Sequence, residues 1–485
     1  MIDLNNLERY RENNRIEAKK ALGGLPHSIW ETYSAFANTL GGIILLGVEE
    51  YKDKTLHTVD LPDPEKLVKE FWDMVNNPNK ASVNVLLDRD VQIENVGGNH
   101  IIVITVPRAQ RFERPVYVEG NPLNTYRRNG EGDYRCTEEE LRAMYRDASY
   151  KTQDMLVLEE MGLDVFCYES VHRYRNRLLS YRPGHVWGEL NDEELLHKLG
   201  AVGRAEDGTL HPTAAGLLMF GYEYEIVREY PMYFLDYRED YDSSTRWTDR
   251  IISSSGDWSG NVFDFFFRVY NKLVEDVKVP FKLEGANRID DTPVHKAIRE
   301  ALANCLVNAD YYGRRGLVVL KKKSGITLSN PGSFRVELNA AKFGGVSDPR
   351  NGTLLKLFNM IDIGERSGSG IPRILSAWKA QGWDEPTIEE SFDPERTVLS
   401  LPFGKSADKK VLIKSADKKV PIKTSAQKEQ IIAYLTDHPR AAAAELCELL
   451  DVKPTRVRNL LRELAAEDIV VAEGGNRNRT YRLKA

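Results

Sequence analysis

Apolar positions along this chain change period several times, and each change predicts an element. YSAFANTLGGIILLGVEE reads as a helix running through a Gly-Gly turn into a buried strand that ends in two acids. The stretch from about Asp192 to Phe220 reads as helix, turn and helix around HPTAAGLLMFG, a small packing unit. The flanking stretches, one ending near Ala148 and one beginning near Tyr230, alternate apolar strands with helices. VHKAIREALANCLVNADYY has a helical period, whereas SNPGSF and GERSGSGIPRI supply glycine turns, the second leading into a helix. KSADKKVLI is followed by KSADKKVPI, a repeat with too few large apolar residues to build a core. After this spacer, SAQKEQIIAYLTDHP, AAAAELCELLDV and KPTRVRNLLRELAAED are helical in period, and IVVAEGG and RTYRLK read as short strands around Gly474 and Gly475.

Together these predict an α+β multidomain chain: an α/β domain over 1–148, a helical connector over 149–228, a second α/β domain over 229–403, a linker over 404–424 and a winged helix-turn-helix over 425–485. Length agrees, since 485 residues exceed what one core usually supports. The formal charge of -6 gives no overall basic signal, so any nucleic-acid affinity is local. No apolar run approaches the roughly 20 residues that span a bilayer, and the polar opening MIDLNNLERYRENNRIEAKK lacks a signal-peptide apolar region. A cytoplasmic protein with no membrane partner is expected. Cys136, Cys167, Cys305 and Cys447 are scattered singly, without metal-ligand spacing, and are expected to be reduced and structural.

Three groups of residues carry candidate chemistry. Glu12, Glu17 and Lys19 precede the strand that ends in Glu49 and Glu50; carboxylates brought together with a lysine are what a Mg²⁺- or Mn²⁺-dependent phosphodiesterase needs. Acids and lysines on a solvated helix give the same pattern. Glu300, Asn304 and Asn308 follow one another at four-residue steps, which puts the first two together on one helix face. Gly368 and Gly370 open the next helix, whose first amides suit a phosphate. In the last domain, Thr455, Arg456, Arg458 and Asn459 lie near the start of the third helix, where a recognition helix meets a major groove. Arg477, Asn478 and Arg479 form the wing tip, although a winged helix also serves as a protein-binding module.

The string E12-NNRI-E17-A-K19, then SAFANTLGG and GVEE, resembles the Schlafen AlbA-type domain. IIVITVP, RPVYVEG, YRRNGEG and the capping box from Thr137 to Glu140 follow that family's order over the first 145 residues or so. The resemblance implies a metal-dependent RNA endonuclease in which Glu12, Glu17 and Glu49 hold the metal with Lys19 nearby; Glu50 is the alternative third acid. Asn13 and Ala18 depart from the family's Ser and Phe. REALANCLVNADY, LSNPGSF, DPRNGTL and GERSGSGIPRI, from about residue 280 to 403, resemble the C-terminal region of RecG-like transcriptional regulators, related to the GHKL ATPase fold. That resemblance implies ATP binding, with Glu300 as general base and Asn304 on the Mg²⁺ that bridges the phosphates. Asn330-Pro331-Gly332 stands where the family's adenine box has its Asp, which argues against hydrolysis.

Two functions are therefore expected from the sequence. One is a divalent-metal-dependent endonuclease acting on structured RNA, with a nucleotide-sensing GHKL-like domain. The other is an ATP-binding, DNA-binding transcriptional regulator without catalysis. An ATPase that remodels partners would need turnover through Glu300, and a homo-oligomer is compatible with either main reading.

Overall fold

The structure is a computed structural model. It describes residues 3–240, 247–275, 277, 282–284, 287–289, 292–364, 368–392 and 395–404, and then 431–432, 434–435, 438, 440–450, 454–466, 469–473 and 480–484. The chain forms two compact units, Met1–Ser406 and Ala407–Ala485. The expected spacer repeat lies outside the described residues.

The first unit begins with β1 (Ile16–Lys19), α1 (Ile29–Asn38), β2 (Gly42–Leu46), β3 (Val48–Glu50), β4 (Leu56–Thr58) and α2 (Pro64–Val75). It continues through β5 (Val91–Val96), β6 (Asn99–Val106), β7 (Tyr126–Asn129), β8 (Gly132–Arg135) and α3 (Glu138–Ala148). The main sheet has the order β1-β2-β6-β5, with β1 parallel to β2 and the other pairs antiparallel. The expected helix, glycine turn and strand are α1, Gly41 at φ +74° and β2. A side chain at Gly41 would meet the Val106 carbonyl at 2.7 Å, so only glycine lets the turn pack this closely on β6. Phe36 of α1 is fully buried in one core with Ile44 of β2 and Ile104 of β6. Asn38, 2% exposed, ties the helix to two distant segments. Its Nδ2 donates to the Val116 carbonyl at 2.8 Å and the Tyr126 carbonyl at 3.1 Å, while its Oδ1 accepts from the Val116 N–H. The expected capping box starts α3, with Thr137 and Glu140 bonding reciprocally.

Next come α4 (Tyr168–Tyr181), α5 (Asp192–Leu199), β9 (Val202–Arg204), β10 (Leu210–Pro212), α6 (Ala214–Phe220), α7 (Glu223–Glu229), β11 (Leu235–Asp240), β12 (Asp249–Ile252) and α8 (Val262–Val274). The stretch expected as helix, turn and helix has the antiparallel hairpin β9–β10 as its turn. The pair β13 (Lys282–Glu284) and β14 (Asn287–Ile289) precedes α9 (Pro293–Val307). Then follow β15 (Leu317–Lys322), β16 (Gly325–Pro331), α10 (Leu338–Phe343), α11 (Gly352–Met360), α12 (Gly370–Gln381), β17 (Thr387–Phe392) and β18 (Glu395–Pro402). The six-stranded sheet runs β12-β11-β15-β16-β18-β17. One hydrophobic core runs from Leu158 to Leu401, so the expected connector shares its core with this sheet and its helices. Cys136, Cys167 and Cys305 are buried free thiols, and Cys447 is half-buried and free.

In the second unit, strands Ala441–Ala442, Thr480–Leu483 and Val470–Glu473 form one antiparallel sheet in that order. Helices Ala443–Leu450 and Pro454–Ala466 bury Leu446, Val457, Leu460, Leu461 and Leu464 at the spacing of a single helix face. Among the described residues no helix is long and apolar enough to cross a membrane.

Within the first unit the two sheets are joined by charge. Arg350 donates from Nε to Asp147 Oδ1 at 3.0 Å and from Nη2 to Oδ2 at 2.7 Å, and it also donates to the carbonyls of Asn308 and Ser333. Burial disfavours the Asp147 carboxylate, but the Arg350 guanidinium outweighs burial and holds its pKa at about 2, below the ordinary 3.8. A depressed carboxylate pKa contributes stability that is present above 3.8 and lost as pH falls toward 2. Asp147→Asn should therefore cost about 3–5 kcal/mol near neutral pH. The same variant should flatten the acid limb of stability in urea unfolding followed from pH 7 to 2.

Candidate functional site

Alternation along β1 places Glu17 and Lys19 on the same face, two residues apart. Glu17 is 7% exposed and both of its oxygens are engaged. Lys19 Nζ lies 2.6 Å from Oε1, and Arg128 Nη2 lies 2.8 Å from Oε2. Arg128, at the centre of β7, also reaches Asp133 Oδ1 at 2.9 Å and the Asn13 carbonyl at 2.8 Å, and sits 5.1 Å from the centroid of the Phe36 ring. Glu12 Oε1 accepts from the Ala18 N–H at 3.0 Å. Burial pushes the Glu12 carboxyl above its ordinary range, helped by the negative charges of Glu17 and Glu50.

The acid felt by Glu12 is thus Glu50, whereas Glu49 lies 3.0 Å from Lys20. Strand alternation separates the two neighbours, so that Glu50 acts on Glu12 while Glu49, at the family's position, pairs with Lys20. Glu50 itself pairs with Lys54 at 3.1 Å, and its Oε1 is a buried acceptor without a donor. Among the described residues, no group of three or more His, Cys, Asp or Glu side chains is placed to hold a metal ion. The donor set does not fit a divalent cation: the most buried acid is already neutralised by two cations, and Glu49 points its charge elsewhere.

The second group converges. Asn304 Nδ2 donates to Glu300 Oε1 at 3.2 Å, and Asn308 Nδ2 donates to the Asn304 carbonyl at 3.0 Å at the end of α9. Glu300, Asn304, Asn308, Gly368 and Gly370 all line one pocket. Its remaining wall is largely apolar, with Leu328, Ile374, Ile388 and Leu399. A side chain at Gly370 would fall 2.8 Å from Asn304 Nδ2 and collide with the Glu300 carboxylate, so the first turn of α12 lies directly against the polar pair. Gly368, at φ +69°, would meet the Val346 N–H at 2.6 Å and is held to glycine for the same reason.

A polar pair beside a helix start, with an apolar far wall, fits the phosphate and base ends of a nucleotide. The adenine-box position differs from the family pattern. Asn330 Nδ2 donates to the Pro331 carbonyl at 3.2 Å, and Gly332, at φ +93°, is backed by the Arg350 guanidinium. Thr397 Oγ1 donates to the Gly332 carbonyl at 2.9 Å, so Asn330 and Thr397 supply the polar lining at this end.

In the second unit, Thr455, Arg456 and Arg458 lie on the helix Pro454–Ala466, but their side chains are outside the described residues. Asn459 is exposed, away from the buried Val457 and Leu460. Arg477 and Arg479 fall outside the described residues. Sequence reading missed Arg128 and Arg350, the two arginines that organise both sites. YRRNGEG displayed Arg128, yet nothing in that string says which acid it faces.

Arg128→Met should destabilise the protein by about 3–5 kcal/mol, because it leaves Glu17 and Asp133 buried against fewer cations. Adding Glu17→Gln should recover part of that loss, a non-additivity that denaturant unfolding of the two single variants and the double variant would read.

Three family profiles match parts of the chain. A Schlafen AlbA_2 profile matches residues 12–137, and a domain of unknown function, DUF8451, matches residues 142–236. A profile described as "Putative ATP-dependent DNA helicase recG C-terminal" matches residues 323–399. No curated protein matches. Among solved structures, the chain is similar to the DIP2311 protein from Corynebacterium diphtheriae, at 17% identity over 97% of this chain and 95% of that one, with a TM-score of 0.38. It is also similar to the N-terminal domain of "Putative ATP-dependent DNA Helicase RecG-related Protein" from Nitrosomonas europaea, at 34% identity over 28% of this chain and 90% of that one, with a TM-score of 0.23. The chain thus shows family-level similarity to Schlafen AlbA and RecG-related domains.

Proposed function

We propose that this protein is a nucleotide-responsive, nucleic-acid-binding regulator. The observation that carries the reading is the convergence of Glu300, Asn304, Asn308, Gly368 and Gly370 on one pocket. Asn304 and the first amides of α12 would hold the phosphates, and Leu328, Ile374 and Leu399 would cover the base. A bound phosphate would compete with the Glu300–Asn304 hydrogen bond, giving a nucleotide a direct means of shifting α12 against α9. Similarity to Schlafen AlbA and RecG-related domains supports nucleic acid as the partner. The second unit, read as a winged helix, would present Thr455, Arg456, Arg458, Asn459, Arg477 and Arg479 to a duplex.

The test is calorimetric and thermal titration of the full chain with ATP and with a non-hydrolysable analogue. At a ligand concentration of about 100 Kd, stabilisation of roughly 2.7 kcal/mol is expected. Asn304→Ala and Gly370→Val should abolish it. A wild-type protein that no nucleotide stabilises would remove this half of the proposal. Glu17→Gln should leave nucleic-acid affinity within about twofold of wild type, and that affinity should fall steeply with salt in both proteins.

One observation bears on the nuclease reading: the charges of Glu17 and Glu50 both act on Glu12, although these acids are not grouped to hold a metal ion among the described residues. Incubation of end-labelled transfer RNA and single-stranded DNA with Mn²⁺ or Mg²⁺ tests it. Cutting that needs metal and vanishes in Glu17→Gln would establish a nuclease. Intact substrate with binding retained is the result expected for a regulator.

A further inference from the structure

The loop that follows β6, Pro107–Arg114, carries Arg108, Arg111 and Arg114. Across an open cleft it faces Phe334–Asp348, the segment around α10. Arg15 and the Gly41–Gly42 turn complete the N-terminal wall. Two of these arginines are satisfied. Arg108 Nη1 lies 2.8 Å from Glu390 Oε2, and Arg111 pairs with Asp348 and donates to the carbonyls of Asp147 and Ser149. The other two are not. Arg114 is 6% exposed, its Nε–H is a buried donor without an acceptor, and its side chain makes no hydrogen bond or ion pair among the described residues. Arg15 lines the same cleft, and its guanidinium likewise has no partner among the described residues.

Burial pushes the Arg114 pKa down to about 10, and the like charge of Arg108 adds to that. Opposite, Arg335 is also held near 10 by burial, and its Nε–H lacks an acceptor too. Asp147, Glu395 and Glu390 act on Arg114 only at longer range, and Asp147 and Glu390 already pair with Arg350 and Arg108, so a buried guanidinium that no acid bonds directly gains from an arriving anion. The two acids in the cleft are already engaged. Asp348 pairs with Arg111 and lies 3.6 Å from Arg335, and Glu337 caps α10 by accepting from the Ala340 N–H at 2.8 Å. Neither lining acid is left to bond Arg114 or Arg15 directly. Beside it, Arg111 stacks 3.7 Å from the Phe112 ring centroid, and Phe112 stacks on Tyr150 with centroids 4.8 Å apart. These rings stay open to solvent, Phe112 at 44% and Tyr150 at 86%.

We propose that this cleft binds the backbone of single-stranded nucleic acid, with a phosphate seated on Arg114 and Arg15 and an unpaired base stacked on Phe112 and Tyr150. The inference rests on the nucleic-acid half of the function proposed above and gives it a place and a strand state. Free phosphate would satisfy the arginines equally well. The exposed aromatic pair favours the polymer, because stacking on an aromatic platform is what single strands offer and duplexes withhold.

The experiment uses the full chain. Fluorescence anisotropy with a labelled oligouridylate of about twelve nucleotides reads the polymer, and thermal shift with inorganic phosphate reads the anion. Arg114→Met should lose the phosphate-induced shift and bind the oligonucleotide at least about tenfold more weakly. Arg15→Gln, at an exposed position, should weaken both signals and keeps the test decisive if Arg114→Met fails to fold. Phe112→Ala should keep the phosphate shift and lose roughly tenfold in oligonucleotide affinity. Oligonucleotide binding indifferent to Arg114→Met and Arg15→Gln would overturn the cleft site while leaving the nucleic-acid reading intact. A phosphate shift that needs Arg114, with no oligonucleotide bound by wild type, would overturn the polymer and leave a free-phosphate site. Absence of both signals would overturn the inference and weaken the nucleic-acid reading with it.

Discussion

Arg350 makes its contacts where four segments of the first unit meet. Its two bonds to Asp147 hold the end of α3, its bond to the Asn308 carbonyl holds the end of α9, and its bond to the Ser333 carbonyl holds the segment after β16. Buried ion pairs of this kind give little net stability relative to apolar packing, yet they punish any other arrangement, since breaking one leaves a charge stranded in the interior. The N-terminal sheet is thereby fixed against the six-stranded sheet. Both the pocket proposed to take nucleotide and the arginine-lined cleft take their shape from that placement.

The two cavities share a wall. Phe334, Arg335, Val336, Val346, Ser347 and Asp348 line the pocket beneath α12 and also face the arginines across the cleft. Gly368 touches the same segment at Val346, so the glycine turn before α12 and the wall are in direct contact. A ligand that repositions α12 acts on this segment, and the segment carries Asp348, the counter-charge of Arg111. Coupling between the sites then needs no long pathway, because one short stretch of chain borders both.

Local order was legible in the sequence wherever a short-range rule governed it. The Gly-Gly turn between α1 and β2, the capping box of α3 and the four-residue spacing of Glu300 and Asn304 each follow from sterics or hydrogen bonding within a few residues. The acidic site was not legible in the same way. Glu17 is neutralised by Arg128, 111 residues away, and the pairing depends on β7 lying across α1, which no periodicity encodes. Which of Glu49 and Glu50 faces Glu12 depends on strand facing, a property of the register of a three-residue strand. Arg114 and Arg15 were passed over because a missing partner is visible only once every neighbour has been placed.

Hydrogen exchange followed by mass spectrometry, on the full chain with and without a non-hydrolysable ATP analogue, tests the central claim that one pocket senses nucleotide and shares its wall with the cleft. The account predicts slower exchange in the first turn of α12 and at the end of α9, together with altered exchange in Phe334–Asp348 and Pro107–Arg114. Exchange unchanged by the analogue in all four segments would contradict it.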